Sequence, residues 1–164
     1  MASEIKVDTI VNAGGDNDTG IDLATNDQIL LKVANATKLT MNSTGQTTIV
    51  GEGGTTTTNV QQGLCKCWIR FNGTGTIATN DSFNVSGITD EGTGDYTVTI
   101  NNDMANDDYA YTALSSRDNS ASQVGLFGSI DTSLVTTGKF RLSEVAGSFF
   151  DVGMVMCAVH GDLA

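Results

Sequence analysis

The sequence predicts an all-β fold in which an antiparallel β-sandwich follows an N-terminal region that cannot form a core alone. Three observations predict this fold. Apolar and polar residues alternate over short runs along the 164 residues. The 19 glycines, with many Asn, Asp and Thr residues and no proline, suit strands joined by tight turns. No long amphipathic helical pattern is present.

The pattern of residues 1–50 predicts a β-region that serves for anchoring and trimerisation. Its strand-like runs, at 4–11, 21–23, 28–33, 38–41 and 47–50, are short and separated by polar turn residues. So sparse a meander is marginal in water. Three chains around an axis would pair the strand edges and pool their apolar faces, giving β-structure intertwined between chains. The predicted trimer interface comprises Ile5, Val7, Ile10, Ile21, Leu23, Ile29, Leu31, Val33, Leu39 and Met41.

Residues 51–62 read as a Gly/Thr-rich linker, because they contain almost no apolar side chain. Residues 63–164 predict a jelly-roll-like sandwich of about seven strands. The runs are 64–71, 82–86, 96–100, 109–114, 124–130, 139–142 and 150–159, with 89–95 as a hairpin loop. In the first run, Cys65, Cys67, Ile69 and Phe71 share one face, and Lys66, Trp68 and Arg70 share the other.

Composition excludes several partners. The net charge is −11, from 19 acidic and eight basic residues, so the chain would repel nucleic acid and anionic membranes. The N-terminus lacks the basic and apolar regions of a signal peptide, and no run is long enough to span a membrane. Three cysteines, an odd number, argue against a disulfide framework.

Three candidate metal sites are recognisable in the sequence, and none of them is predicted to bind a metal ion. Cys65, Cys67, Cys157 and His160 supply zinc-type ligands, but a Cys-x-Cys pair within one strand is not zinc spacing, and buried free thiols are expected. In a trimer, His160 and its symmetry mates would bind a metal only if they met on the threefold axis, and a lone histidine near a terminus is expected to be exposed or hydrogen-bonded instead. The acidic stretch from Asp16 to Asp27 resembles the start of a calcium loop, but Ile21 stands where the essential glycine belongs and Asp27 replaces the bidentate glutamate. Ordinary Asx-turns are therefore the favoured interpretation.

No catalytic constellation is present, so we expect no enzyme. His160 is the only histidine, and no serine lies in a nucleophile-elbow motif. The acidic residues fall mainly in turns rather than in a pair suited to glycoside hydrolysis. The aromatic residues Trp68, Tyr96, Tyr109 and Tyr111 would suit a carbohydrate-stacking patch. For Trp68, a subunit interface is the favoured interpretation.

Several strings resemble a segment that recurs in tail-fibre-like proteins of bacteriophages, especially marine and cyanobacterial ones. They are KCWIRFNGTGT at 66–76, DSFNVSGITDEGTGDYTVTI at 81–100, DMANDDY at 103–109 and FDVGMVMCAVHG at 150–161. The N-terminal strings EIKVDTI at 4–10 and ATNDQILLK at 24–32 resemble the start and shaft of such proteins.

The resemblance implies a homotrimeric virion protein, made in the host cytoplasm, whose N-terminal part binds other virion proteins and whose sandwich projects outward. Host attachment through a surface glycan or protein is a further implication. The chain lacks the long shaft of many fibres, so a head fibre or a capsid decoration protein is an alternative. A glycan-binding module is another alternative.

Overall fold

The computed structural model describes residues 6–11, 19–51, 53–116, 124–128, 134–144 and 149–164, with only the backbone for 124–128 and Glu144. The all-β prediction with antiparallel sheets is confirmed. Backbone contacts divide the chain into unit 1, Met1–Gly63, and unit 2, Leu64–Ala164. In the described ranges, no helix is long and apolar enough to cross a membrane.

Unit 1 is one antiparallel sheet whose six strands lie side by side in chain order. The strands are β1 (Thr9–Val11), β2 (Gly20–Asp22), β3 (Gln28–Val33), β4 (Ala36–Asn42), β5 (Thr47–Val50) and β6 (Thr57–Asn59). A four-residue helix, α1 (Val60–Gly63), follows. Strand β6 pairs with β5 through Thr58 opposite Ile49.

The second half of the predicted Gly/Thr-rich linker is part of the sheet unit and is not a connector between the units. Residues 57–59 form a strand and 60–63 form a helical turn. Threonine is β-branched, so a threonine-rich segment fits the pleated edge of a sheet although the segment contains few apolar side chains. The composition of this stretch indicated a linker, whereas the strand propensity of its threonines decided the structure.

Unit 2 is an eight-stranded antiparallel sheet with the order β8-β7-β14-β11-β12-β13-β10-β9. The strands are β7 (Cys65–Asn72), β8 (Ala78–Phe83), β9 (Val85–Gly92), β10 (Asp95–Ile100), β11 (Ala110–Ser116), β12 (Val124–Gly128), β13 (Lys139–Glu144) and β14 (Met154–His160). The sheet folds over so that its two halves face each other. Phe71 of β7 meets Tyr96 of β10 edge to face, with ring centroids 5.0 Å apart.

The core of unit 2 lies between these two halves and is made by alternating inward residues. Strand β7 contributes Cys67, Ile69 and Phe71, as the predicted alternation requires. Lys66 is an exception: it is buried, at a register shift between β7 and β14, and not on the outer face predicted for it. The remaining fully buried large side chains are Tyr96, Val98, Met104, Phe140, Leu142, Val152, Val155 and Val159.

The predicted hairpin into 96–100 is present as β9 paired with β10, but the predicted strand 82–86 is interrupted at Asn84 and the predicted loop 89–95 is too long. Residue Asn84 sits between β8 and β9, which occupy opposite edges of the sheet, so the chain turns a corner there. Asn84 adopts φ 56°, a left-handed conformation that asparagine tolerates. Its side chain donates to the carbonyl oxygens of Lys66 and Asn102 and accepts from the Asn102 amide. The expected loop is mostly strand β9.

Candidate functional site: two exposed apolar surfaces

The sheet of unit 1 has one apolar face, formed by residues directly opposite each other on successive strands. A row crosses five strands in register: Ile10, Ile21, Leu31, Leu39 and Ile49. Residues opposite each other in an antiparallel ladder point to the same side of the sheet. Ile29 lies opposite Met41 in the neighbouring row. We call the whole set the apolar face: Ile10, Ile21, Leu23, Ile29, Leu31, Val33, Leu39, Met41 and Ile49.

The other side of this sheet is mostly polar. Its row across the strands consists of Thr9, Asp22, Leu30, Thr40, Thr48 and Asn59. Asp22 forms an ion pair with Lys32 and accepts the Ala24 amide at 2.9 Å. The hydrogen bond from Lys32, followed by the one from the backbone, lowers the pKa of Asp22. The sheet is therefore amphipathic, with one mostly polar side and one apolar side.

The apolar face is uncovered within unit 1. None of the described residues of this unit is buried, and every member of the core cluster belongs to unit 2. The exposed fraction is 52% for Ile10, 50% for Val33 and 45% for Met41. A cavity of about 410 Å³ lies at the end of the sheet beside Leu23, Ile29 and Met41, where polar residues of the turn between β2 and β3 also line it. A sheet with one apolar face is stable when a second layer covers that face.

The structure gathers eight of the predicted trimer-interface residues on the apolar face: Ile10, Ile21, Leu23, Ile29, Leu31, Val33, Leu39 and Met41. Val7 precedes β1 and is 44% exposed, and Ile5 lies outside the described residues. Sequence reasoning missed Ile49, although its alternation with Thr48 and Val50 would have placed it with its neighbours once β5 was paired with β4.

A second apolar surface lies on the outer side of unit 2. We define the outer patch as Trp68, Phe83, Leu114, Met156 and Ala158. Trp68 lies opposite Phe83 on one side and Ala158 on the other, and Met156 lies opposite Leu114. Phe83 is 52% exposed and Leu114 is 40% exposed. A shallow cavity of about 420 Å³ opens over Trp68, Leu114 and Met156, with Arg70 and Thr112 at its border.

The predicted carbohydrate-stacking group is wrong. Tyr96 and Tyr109 are buried in the core, and the ring of Tyr111 stacks on Phe140 at 5.8 Å. Trp68 lies on the opposite side of its half-sheet, so these tyrosines do not join it. Burial raises the pKa of Tyr96 to about 12, and burial also raises that of Tyr109. The burial of Tyr96 could be predicted from the alternation Tyr-Thr-Val-Thr-Ile at 96–100, since this alternation places Tyr96 on the same side as Val98 and Ile100.

The cysteines lie in or near the core. All three are free thiols; Cys67 and Cys157 are buried, and Cys65 is half-buried. Burial, followed by the neighbouring Cys65, raises the pKa of Cys67 to about 12, and burial raises that of Cys157. Among the described residues, no group of three or more His, Cys, Asp or Glu side chains could hold a metal ion. The first part of the calcium-like stretch, with Asp16, lies outside the described residues.

Three of the strings that resemble the phage segment, at 66–76, 81–100 and 150–161, meet at one end of unit 2. The Tyr96 hydroxyl donates towards the Gly73 carbonyl oxygen at 3.3 Å, and the Gly73 amide donates to Val152 at 2.9 Å. The Gly94 amide donates to an Asp151 carboxylate oxygen at 2.9 Å. These strings are thus explained by packing and hydrogen bonding inside the fold. Comparisons with protein-family models, curated proteins and solved structures find no match.

Proposed function

We propose that this protein is a non-enzymatic phage virion protein, a short homotrimeric tail fibre or spike. The observation that carries the proposal is the apolar face, a sheet face that none of the described residues of unit 1 covers with a second layer. Three copies with these faces turned to a common axis would form a closed prism with a dry interior. The resemblance to tail-fibre-like proteins supplies the virion context, which the geometry by itself does not provide.

Association through the face fits the strand pairing better than interleaved strands. Strands β2 to β5 are paired on both sides within the chain, so in the described part of unit 1 only β1 and β6 offer edges. Burial of the remaining exposed half of an Ile, Leu, Val or Met side chain contributes about 1 kcal/mol. The burial of several such side chains per copy supplies enough free energy to exceed the entropy cost of association and hold three copies together.

In this proposal the first unit both trimerises and attaches to other virion proteins, and the second unit projects outward. A jelly-roll-like arrangement is proposed for unit 2, and the adjacency of its first and last strands, β7 and β14, at the centre of one half-sheet supports it. The outward unit would be positioned for host attachment. The buried tyrosines remove the aromatic group first considered for glycan recognition, so the structural role is favoured over a glycan-binding module.

The trimer is tested with two adjacent substitutions on β5. Ile49→Glu places a charge on the apolar face, and Thr48→Glu places the same charge on the polar side of the same strand. We expect Ile49→Glu to dissociate the trimer, because an unpaired carboxylate in a dry interface is strongly unfavourable. Thr48→Glu should keep the trimer mass. A trimer that survives Ile49→Glu would contradict the role of this face.

The virion location is tested on particles. Antibodies raised against unit 2 should label purified phage particles at the tail in negative-stain electron microscopy. Labelling distributed over the capsid would instead favour the head-fibre or decoration alternative. Absence of the protein from purified particles, measured by mass spectrometry of their components, would reject the virion assignment.

A further inference from the structure

The two outer sides of unit 2 differ in polarity. The outer patch, on the half-sheet β8-β7-β14-β11, combines Trp68, Phe83, Leu114, Met156 and Ala158. On the other half-sheet, Thr97 lies between Thr89 and Arg141, and Thr99 lies opposite Lys139. The second of these sides is polar and suited to contact with solvent, whereas the first is apolar. A soluble sandwich that keeps a tryptophan and a phenylalanine together on one outer side is expected to cover that side.

The chemistry of the patch restricts its occupant. The cavity over Trp68 is bordered mainly by the apolar side chains of Leu114, Met156 and Ala158, and few polar groups converge on it. A sugar would need several hydrogen-bonding partners at fixed positions beside the aromatic ring. The occupant should therefore be an apolar protein surface rather than a glycan.

The charge distribution favours a second copy as that occupant. Unit 2 carries 12 acidic and five basic residues, so copies repel each other over most of its surface. Beside the outer patch, Arg70 lies opposite Asp81 on the adjacent strand. The patch and its border are thus apolar and locally balanced in charge. This is the part of the surface where two copies approach with the least repulsion, and each copy offers both a cation and an anion.

We propose that the outer patch packs against the same patch of neighbouring copies, so that the second units of the trimer contact one another directly. The proposal rests on the trimer proposed above and adds a second interface to it. Unit 1 holds the copies together and raises the local concentration of their second units. The patch then needs only a modest affinity to remain closed.

The chain contains one tryptophan, Trp68, and this residue lies within the outer patch. Acrylamide quenching of its fluorescence in the full-length protein therefore reports directly whether the patch is covered. We expect the quenching constant of the wild-type trimer to be about twofold lower than that of the Ile49→Glu monomer, because an interface core excludes water and solutes.

Two substitutions on unit 2 identify the covering surface. Leu114→Glu charges the patch, whereas Thr97→Glu is the matched control on the polar outer side. Leu114→Glu should raise the quenching constant to the monomer value while the trimer mass persists, and Thr97→Glu should change neither quantity. Met156→Glu replaces Leu114→Glu if that variant does not fold. Adding Leu114→Glu to the Ile49→Glu monomer should leave quenching unchanged, which excludes a purely local effect.

The outcomes separate this proposal from the trimer itself. A trimer whose Trp68 is as accessible as in the Ile49→Glu monomer overturns the patch contact and leaves the proposed function intact. A wild-type monomer with accessible Trp68, at every protein concentration, overturns both. Shielding that persists in the Leu114→Glu and Met156→Glu trimers also overturns the patch contact.

Discussion

The hydroxyl group of Tyr96 lies 3.3 Å from the carbonyl oxygen of Gly73, across the interior of unit 2. The same hydroxyl is 3.4 Å from a carboxylate oxygen of Asp151. One buried side chain on β10 thus connects this strand to two segments that are far from it in the sequence, at Gly73 and Asp151. A side chain at residue 73 would collide with the Tyr96 hydroxyl, which explains the glycine there.

Replacing Tyr96 with Phe should lower the free energy of unfolding by about 1 kcal/mol, because the Gly73 carbonyl oxygen loses a donor. Gly73→Ala should cost more, since it forces the ring to move as well. Chemical denaturation of both variants, with the wild type as reference, measures the two values. Equal stability of Tyr96→Phe and the wild type would show that this hydrogen bond is not significant.

Two glycines with the same backbone conformation separate backbone strain from steric collision. Gly94 has φ 66° and Gly75 has φ 65°. A Cβ atom on Gly94 would lie 2.8 Å from the Phe150 carbonyl oxygen, whereas one on Gly75 meets nothing within 4 Å. Gly75→Ala should therefore cost about 1 to 2 kcal/mol of stability from the left-handed backbone alone.

Gly94→Ala should cost roughly 1 to 3 kcal/mol beyond that value, because the backbone of residue 150 must move. Thermal or urea unfolding of the two variants measures the difference. If both variants are equally destabilised, the close approach of the two segments is not a source of specificity in this fold.

Asp95 should stabilise unit 2 at neutral pH and lose that effect in acid. Its carboxylate accepts from Arg141 Nε at 2.6 Å and from Ser143 Oγ at 2.8 Å, and it forms an ion pair with Arg141. The Arg141 hydrogen bond lowers the pKa of Asp95 against the opposing effect of burial. The stabilisation is thus fully present above the unfolded-state pKa of about 3.9 and is lost as the pH falls through the lower folded-state value.

Asp95→Asn should reduce the free energy of unfolding by about 1 kcal/mol at pH 7, with a smaller difference from the wild type below about pH 4. Urea unfolding between pH 3 and pH 7 measures this dependence. Glu91→Gln, at an exposed carboxylate on β9, serves as the control and should stay within about 0.5 kcal/mol of the wild type. A pH-independent difference for Asp95→Asn would contradict the ionic origin.

The thiols should differ in reactivity. Cys65 is half-buried and its thiol donates to the Cys67 carbonyl oxygen at 3.1 Å, whereas Cys67 and Cys157 are buried with raised pKa values. A thiol reagent such as DTNB at pH 8 should therefore titrate only Cys65 in the native protein and all three cysteines in denaturant. Cys65→Ser should abolish the native-state reaction. Rapid labelling of Cys67 would contradict the core packing.

Local alternation predicted much of this fold. The pattern of β7 places Cys67, Ile69 and Phe71 inside and Trp68 outside, and eight of the ten N-terminal apolar residues chosen from the sequence fall on one face. These predictions succeeded because the side-chain period of a strand is local information. The burial of Tyr96 was readable from the same rule, and the carbohydrate interpretation overlooked it.

Other features depended on long-range pairing. The neighbours of Trp68 come from β8, β11 and β14, and nothing in the sequence near residue 68 specifies that these strands lie beside β7. The corner at Asn84 required a left-handed asparagine, which sequence alone does not distinguish from a strand interior. The strand at 57–59 was hidden by its Gly/Thr-rich composition. The outer patch was therefore visible only after the strand order was known.

The proposed fibre function depends most on the association of three chains through the apolar face of unit 1. Sedimentation equilibrium of the wild-type protein tests this claim most directly. The predicted result is one species at three times the 17.1 kDa chain mass, at all concentrations at which the protein is folded. A folded monomer of 17.1 kDa, with circular dichroism typical of β-structure, would contradict it.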